Sequence, residues 1–218
     1  MERTAPKFPR LLVWLRPFLL GLLAMSLTAC SILPEQPPPP QTYRLDWPDA
    51  PYRNRPGGPV LMVAAPEALG GYRSTAMLYR DSPNALSAFA TGVWADPPAQ
   101  MLAEQTVAAL GATGRFAAVV TATDALRPDL RLLMTVLRFE QDYTRGAKGG
   151  VARVRVRMQL VDERGGRVLG GRVVSAEAPA GTEGPAAAAA AMSRAARRVV
   201  DKLVDGVDAE LKSARGGD

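Results

Sequence analysis

Arg153, Arg155 and Arg157 recur at alternate positions of a stretch, Val151 to Val161, that is otherwise apolar but for Gln159. An extended chain sends successive side chains to opposite faces. The spacing therefore predicts three guanidinium forks on one face of a strand and Ala152, Val154, Val156, Met158 and Leu160 on the other. Arginine forks match phosphate and carboxylate oxygens in pairs, so the chemistry open to this ladder is binding of an anionic head group or an acidic partner. A solvated strand face in an Arg-rich chain is the competing reading. Asp162-Glu163 is a carboxylate pair only in sequence, because neighbours in a turn point apart and no third catalytic group accompanies them. Gly57-Gly58, Gly70-Gly71, Gly149-Gly150 and Gly170-Gly171 lack the lysine and helix of a phosphate-binding loop and read as turns or bulges. Asp201, Asp205 and Asp208, with Lys202 and Lys212, read as the wet face of a helix rather than as a metal site. The chain has no His and one Cys, which removes histidine triads, Cys/His zinc sites and intramolecular disulfides. No cofactor or metal is expected.

The single cysteine closes Leu27-Thr28-Ala29-Cys30, which resembles the lipobox of bacterial lipoproteins. Small residues before Cys30 let an extended backbone enter a peptidase site, and the thiol can form a stable thioether to diacylglycerol. Upstream, Arg3, Lys7, Arg10 and Arg16 precede an uncharged run of 12 residues, Phe18 to Ala29. That run is well short of the roughly 20 residues that cross a bilayer, and the pattern is that of a secretory signal peptide. Cleavage before Cys30 removes four bases and one acid and lowers the formal charge from +6 to about +3. Much of the basicity is thus targeting, and nucleic acid is excluded as a partner. Ser31 stands where an Asp would resemble an inner-membrane retention signal. The expected location is the periplasmic face of the outer membrane, with the covalent lipid on Cys30 as anchor.

A scaffold must hold these groups, and 218 residues with 47% apolar and 22% charged side chains suit one soluble domain with a tail. Residues 1–29 read as signal peptide and 30–41 as the lipidated cysteine with a Pro-rich tether. Pro34 and Pro37 to Pro40 favour an extended polyproline form, whose rise of about 3.1 Å per residue gives residues 31–41 a reach of roughly 34 Å. The domain is expected over 42–211, with a flexible tail at 212–218. Short strands are predicted at Thr42–Trp47 and Val60–Ala65, with Val119-Val120 as an edge piece. Met77–Arg80 and Ala85–Val93 read as a strand pair around the turn cluster Asp81-Ser-Pro-Asn84. Asp96-Pro97 predicts a helix start, Asp96 capping and Pro97 in the first turn. Longer strands are predicted at Leu130–Glu140, Val151–Val161 and Arg167–Glu177, the last two joined through Asp162–Gly166. In the first of these, Leu132, Met134 and Val136 are expected on one face and Leu133, Leu137 and Phe139 on the other. Pro185 opens a final helix with Met192, Ala196, Val199, Leu203 and Val207 as its apolar stripe. The order gives an α/β (α+β) fold: one mixed, largely antiparallel sheet with two main helices packed on it.

Ala76-Met-Leu-Tyr79-Arg80, then Phe89 through Trp94-Ala-Asp96-Pro97-Pro98 to Met101-Leu102, then Gly114-Arg-Phe116, resemble in order the ABC-type transport auxiliary lipoprotein family. Known relatives include the small lipoprotein of the paraquat-inducible (Pqi) intermembrane transport system. The resemblance implies an outer-membrane partner of an MCE-domain protein and, through it, of an inner-membrane ABC permease and ATPase. It implies lipid transport, not catalysis, and carries over no catalytic residue. Trp94 and Phe116 are expected in the core. Tyr79 and Arg80 stand between structural pairing and a contact surface. Two other classes stay open on the residues alone: a structural or assembly lipoprotein touching peptidoglycan or outer-membrane machinery, and a periplasmic hydrolase, against which the absence of His counts most. A homo-oligomer is compatible with the sequence.

Overall fold

The computed structural model describes residues 38–49 and 51–216. The signal peptide, Cys30 and most of the Pro-rich tether lie outside the described residues. Nine strands form one sheet: β1 Gln41–Tyr43, β2 Val60–Val63, β3 Glu67–Ala68, β4 Ala76–Arg80, β5 Ser87–Trp94, β6 Ala118–Thr121, β7 Leu130–Asp142, β8 Val151–Asp162 and β9 Arg167–Pro179. Among the described residues two helices, α1 Pro98–Ala112 and α2 Pro185–Gly216, complete the α/β domain.

β7 is the spine. One of its edges pairs along its length with β8, antiparallel, and β8 continues antiparallel to β9. The other edge takes three short parallel partners in succession: β2 at Leu130–Leu132, β3 at Thr135–Val136 and β4 at Gln141–Asp142. A 3-10 turn, Gly70–Arg73, joins β3 to β4 beside the intervening stretch of β7. β4 and β5 pair antiparallel, β1 lies parallel to β5, and β6 closes the other side as an edge strand on β2. The long ladders are antiparallel and the parallel ones short, so the sheet is mixed as expected.

Four local expectations are corrected. β1 stops at Tyr43 rather than Trp47 because its partner among the described residues, β5, ends at Trp94. Helix α1 starts one residue late: Pro97, with ψ 137°, is the cap position and makes no side-chain cap bond, and Pro98 is the first helical residue. A residue before proline is pushed out of the helical region, so Pro98 keeps Pro97 extended and Asp96 is not the cap. In β7 the register shifts between Val136 and Arg138. This bulge leaves Leu137 unpaired and returns Phe139 to the face of Val136, so Phe139 is buried while Leu133 is exposed. Finally, α2 runs on through Gly216, so the expected tail from 212 is helical that far.

The core lies between the two helices and one face of the sheet. Ala152, Val154, Val156, Met158 and Leu160 of β8 are fully buried there, beside Leu132, Met134, Val136 and Phe139 of β7. The stripe Met192, Ala196, Val199, Leu203 and Val207 of α2 covers them. The alanine run at the start of α2 has the best helix propensity available and also lets the helix sit low on the sheet. Two glycines extend that close approach. A Cβ on Gly206 would fall 2.6 Å from Met158 Sδ, and one on Gly92 of β5 would fall 2.6 Å from Cβ of Pro185, the first residue of α2.

α2 also finishes the edge of the sheet. Among the described residues β9 pairs only with β8, which leaves carbonyls of alternate residues facing away. Arg194 donates to the carbonyl of Pro179 at 2.6 Å, Arg198 to that of Glu177 at 2.8 Å and Lys202 to that of Ser175 at 2.7 Å. Four helical residues rise about 6 Å and two strand residues about 6.6 Å, so side chains every fourth residue meet carbonyls every second residue. Further along, Arg172 of β9 reaches Glu210 at 3.0 Å.

Candidate functional site

The sheet face away from the helices carries the arginine ladder, and the structure divides it. Across the strands, Glu140, Arg153 and Glu177 stand in one row. Arg153 Nη1 lies 2.8 Å from Asp142 Oδ2 and its Nε 3.2 Å from Glu177 Oε1, and the residue is buried. It is therefore no part of an open basic surface, because it is buried and the acids beside it on β7 and β9 balance its charge. Arg155 and Arg157 do project into solvent, opposite Ser175 and Val173 on β9. Arg155 also faces Arg138 across β7.

Tyr79 and Arg80 tie the end of β4 to β7. The Tyr79 ring packs against Phe89 with centroids 4.9 Å apart and meets Tyr143 edge-on at 5.9 Å. Arg80 Nε donates to Glu140 Oε1 at 2.9 Å, and Arg80 Nη1 also reaches the carbonyl of Pro83 in the following turn. Glu140 has no solvent exposure, and its carboxylate also accepts the Tyr72 hydroxyl and lies 3.5 Å from Arg138 Nε. Both members of the Tyr-Arg element thus have structural partners. Burial pushes the Tyr72 phenol well above its usual range, and the bond to Glu140 adds to this. The same carboxylate holds the Arg80 guanidinium in its charged form.

Asp142, two residues beyond Glu140, is the second buried acid of this region. Burial pushes its carboxyl up, but hydrogen bonds from the Thr144 hydroxyl and N–H outweigh that, helped by Arg153 and Arg80, and the net displacement is downward. Sequence reasoning ended β7 at Glu140 and passed over both acids. The signal was present: acids at alternate positions 140 and 142 share one face of a strand adjacent to the arginines of β8. Trp94 and Phe116 are core residues as expected, Trp94 meeting Phe139 edge-on at 5.5 Å.

Asp162 caps its own hairpin turn, its Oδ1 accepting the N–H groups of Arg164 and Gly165 at 3.0 Å each. The N–H of Gly165 is the first cause of its lowered carboxyl pKa. Of the glycine pairs, Gly57, Gly70, Gly149 and Gly150 take positive φ in turns, and Gly170-Gly171 sits beside the register shift of β9. Asp208 on α2 pairs with Arg115, and Asp201 and Asp205 are exposed.

No curated protein matches this chain. Among solved structures it is similar to protein XCC0632 of Xanthomonas campestris, described under DUF330. The two share 26% identity over 81% of this chain and 99% of that one, with a TM-score of 0.70. A crystal structure of an uncharacterized protein is similar in fold, at 19% identity over 78% of this chain and 99% of that one, with a TM-score of 0.60. The span that matches a known family, residues 43–204, runs from the end of β1 into α2 and includes the Tyr-Arg element, the buried acids and the divided ladder. The chain belongs to the family of ABC-type transport auxiliary lipoprotein components.

Proposed function

We propose that this protein is the outer-membrane-anchored auxiliary subunit of an MCE-type intermembrane lipid transport system, docking the MCE-domain protein that leads to the inner-membrane permease and ATPase. Family membership over residues 43–204 carries the reading. The lipobox at Cys30 supplies the anchor, and Ser31 favours the outer membrane. The polar interior supports a binding role rather than catalysis. Glu140 is taken up by Tyr72 and Arg80, and Asp142 by Thr144 and Arg153, so these carboxylates brace strands instead of facing a cleft. The lipid fixes where the domain works and the domain supplies the contact.

The test is co-purification of the lipidated chain from detergent extracts with the MCE-domain protein of the same system, combined with Cys30→Ala. The variant is expected to lose fatty-acid labelling and to fail to restore barrier function in a deletion strain, while its domain still binds the MCE-domain protein in vitro. Absence of any complex with that protein would end the reading.

A further inference from the structure

Within that reading, we infer that the helix-free face of β7, β8 and β9 is the docking surface, and that it takes an acidic, partly apolar segment of the protein partner. Its two ends are internally neutralised. At one end Arg153 is held by Asp142 and Glu177. At the other, Arg131 Nε lies 2.8 Å from Glu163 Oε1. Between them the rows run Leu133, Gln159, Gly171; then Thr135, Arg157, Val173; then Arg138, Arg155, Ser175. Among the described residues, Arg155 and Arg157 have neither a hydrogen-bond nor a carboxylate partner. Leu133 and Val173 beside them are 37% and 44% exposed.

Two cations without counter-ions beside exposed aliphatic side chains have the composition of a recognition surface, where arginine is enriched and the buried centre is more apolar than the rim. Arg155 and Arg157 are separated by about 6.6 Å along the strand. Carboxylates at alternate positions of an extended segment, or one turn apart on a helix, match that interval. Arg138 faces Arg155 but has Glu140 3.5 Å from its Nε, so the uncompensated charge of the strip is that of Arg155 and Arg157. The narrowness of the strip argues for a protein segment over a bilayer. Exposed Glu67 lies across Thr135 on β3 in the Arg157 row. An anionic membrane plane laid on this face would press against that acid.

The experiment uses the full lipidated chain and the MCE-domain protein of its system, with photo-crosslinking residues placed at Gln159 and Val173, and affinity measured for Arg155→Glu combined with Arg157→Glu. The expected result is crosslinks from both positions and at least a tenfold loss of affinity at physiological salt, with the melting midpoint unchanged and Lys212→Glu on α2 without effect. Wild-type affinity for the double reversal, or crosslinks only from elsewhere, overturns this surface and leaves the proposed function standing. No binding by the wild type overturns both. If the reversals abolish co-sedimentation with phosphatidylglycerol vesicles but leave protein binding intact, the face serves a membrane and the proposal falls.

Discussion

Arg80 on β4 donates its Nε to Oε1 of Glu140 on β7 across 2.9 Å, although these strands share only the register pairs Tyr79 with Gln141 and Arg80 with Asp142. The side chains thus brace a junction that the backbone ladder barely holds.

Glu140→Ala is expected to destabilise the domain by about 3 kcal/mol, the lower part of the range for removing one partner of a buried charge pair, because it also strands the Tyr72 hydroxyl. Chemical denaturation of the purified domain measures this. A loss below about 1 kcal/mol would show that the junction stands without the carboxylate.

Stability toward acid should depend on Asp142. Its folded-state pKa is depressed, so its contribution is complete above the ordinary carboxylate value near 4 and is lost as pH falls through the depressed value. Melting midpoints recorded downward from pH 5 should fall more steeply for the wild type than for Asp142→Asn. Tyr72 acts with the opposite sign: its raised pKa gives stability that is complete below the usual phenol value of 10.0 and is lost above it.

Gly206→Ala sets two effects against each other. Alanine in a helix interior is worth about 1 kcal/mol over glycine, whereas overpacking a tight site costs about 1–3 kcal/mol. The new Cβ would fall 2.6 Å from the sulfur of Met158, a fully buried side chain, so the melting midpoint should drop. Gly216→Ala, where a Cβ meets nothing within 4 Å, should leave the midpoint level or raise it.

Replacing Arg194, Arg198 and Lys202 together by Ala should leave the fold intact but expose the carbonyls of Ser175, Glu177 and Pro179. Unpaired strand edges template association. Light scattering of the variant is expected to show concentration-dependent dimers or larger species, with the wild type as reference. Scattering identical to the wild type would show that the side-chain caps are not what guards this edge.

Alternation and turn chemistry are local, and what depends on them was legible in the sequence: the β8 core face, the Asp162 turn, the α2 stripe and the burial of Trp94 and Phe116. The departures come from partners distant along the chain. β1 is cut short by the end of β5, and the Leu137 bulge depends on which strands line β7. Arg153 shows the same limit within the candidate site. Period two assigned it correctly to the outer face, but only the register of β7 and β9 brings Asp142 and Glu177 beside it. Arg155 and Arg157, whose row neighbours are Ser175 and Val173, keep the character their spacing predicts.

The position of β7 as spine has a consequence for the order of assembly. β2, β3 and β4 precede β7 by dozens of residues and join the rest of the sheet through it, whereas β7, β8 and β9 follow one another as neighbouring hairpins. Nearby contacts close with less entropy cost than distant ones. The hairpins of the C-terminal half are therefore expected to form first and to offer β7 as the edge on which the N-terminal strands assemble.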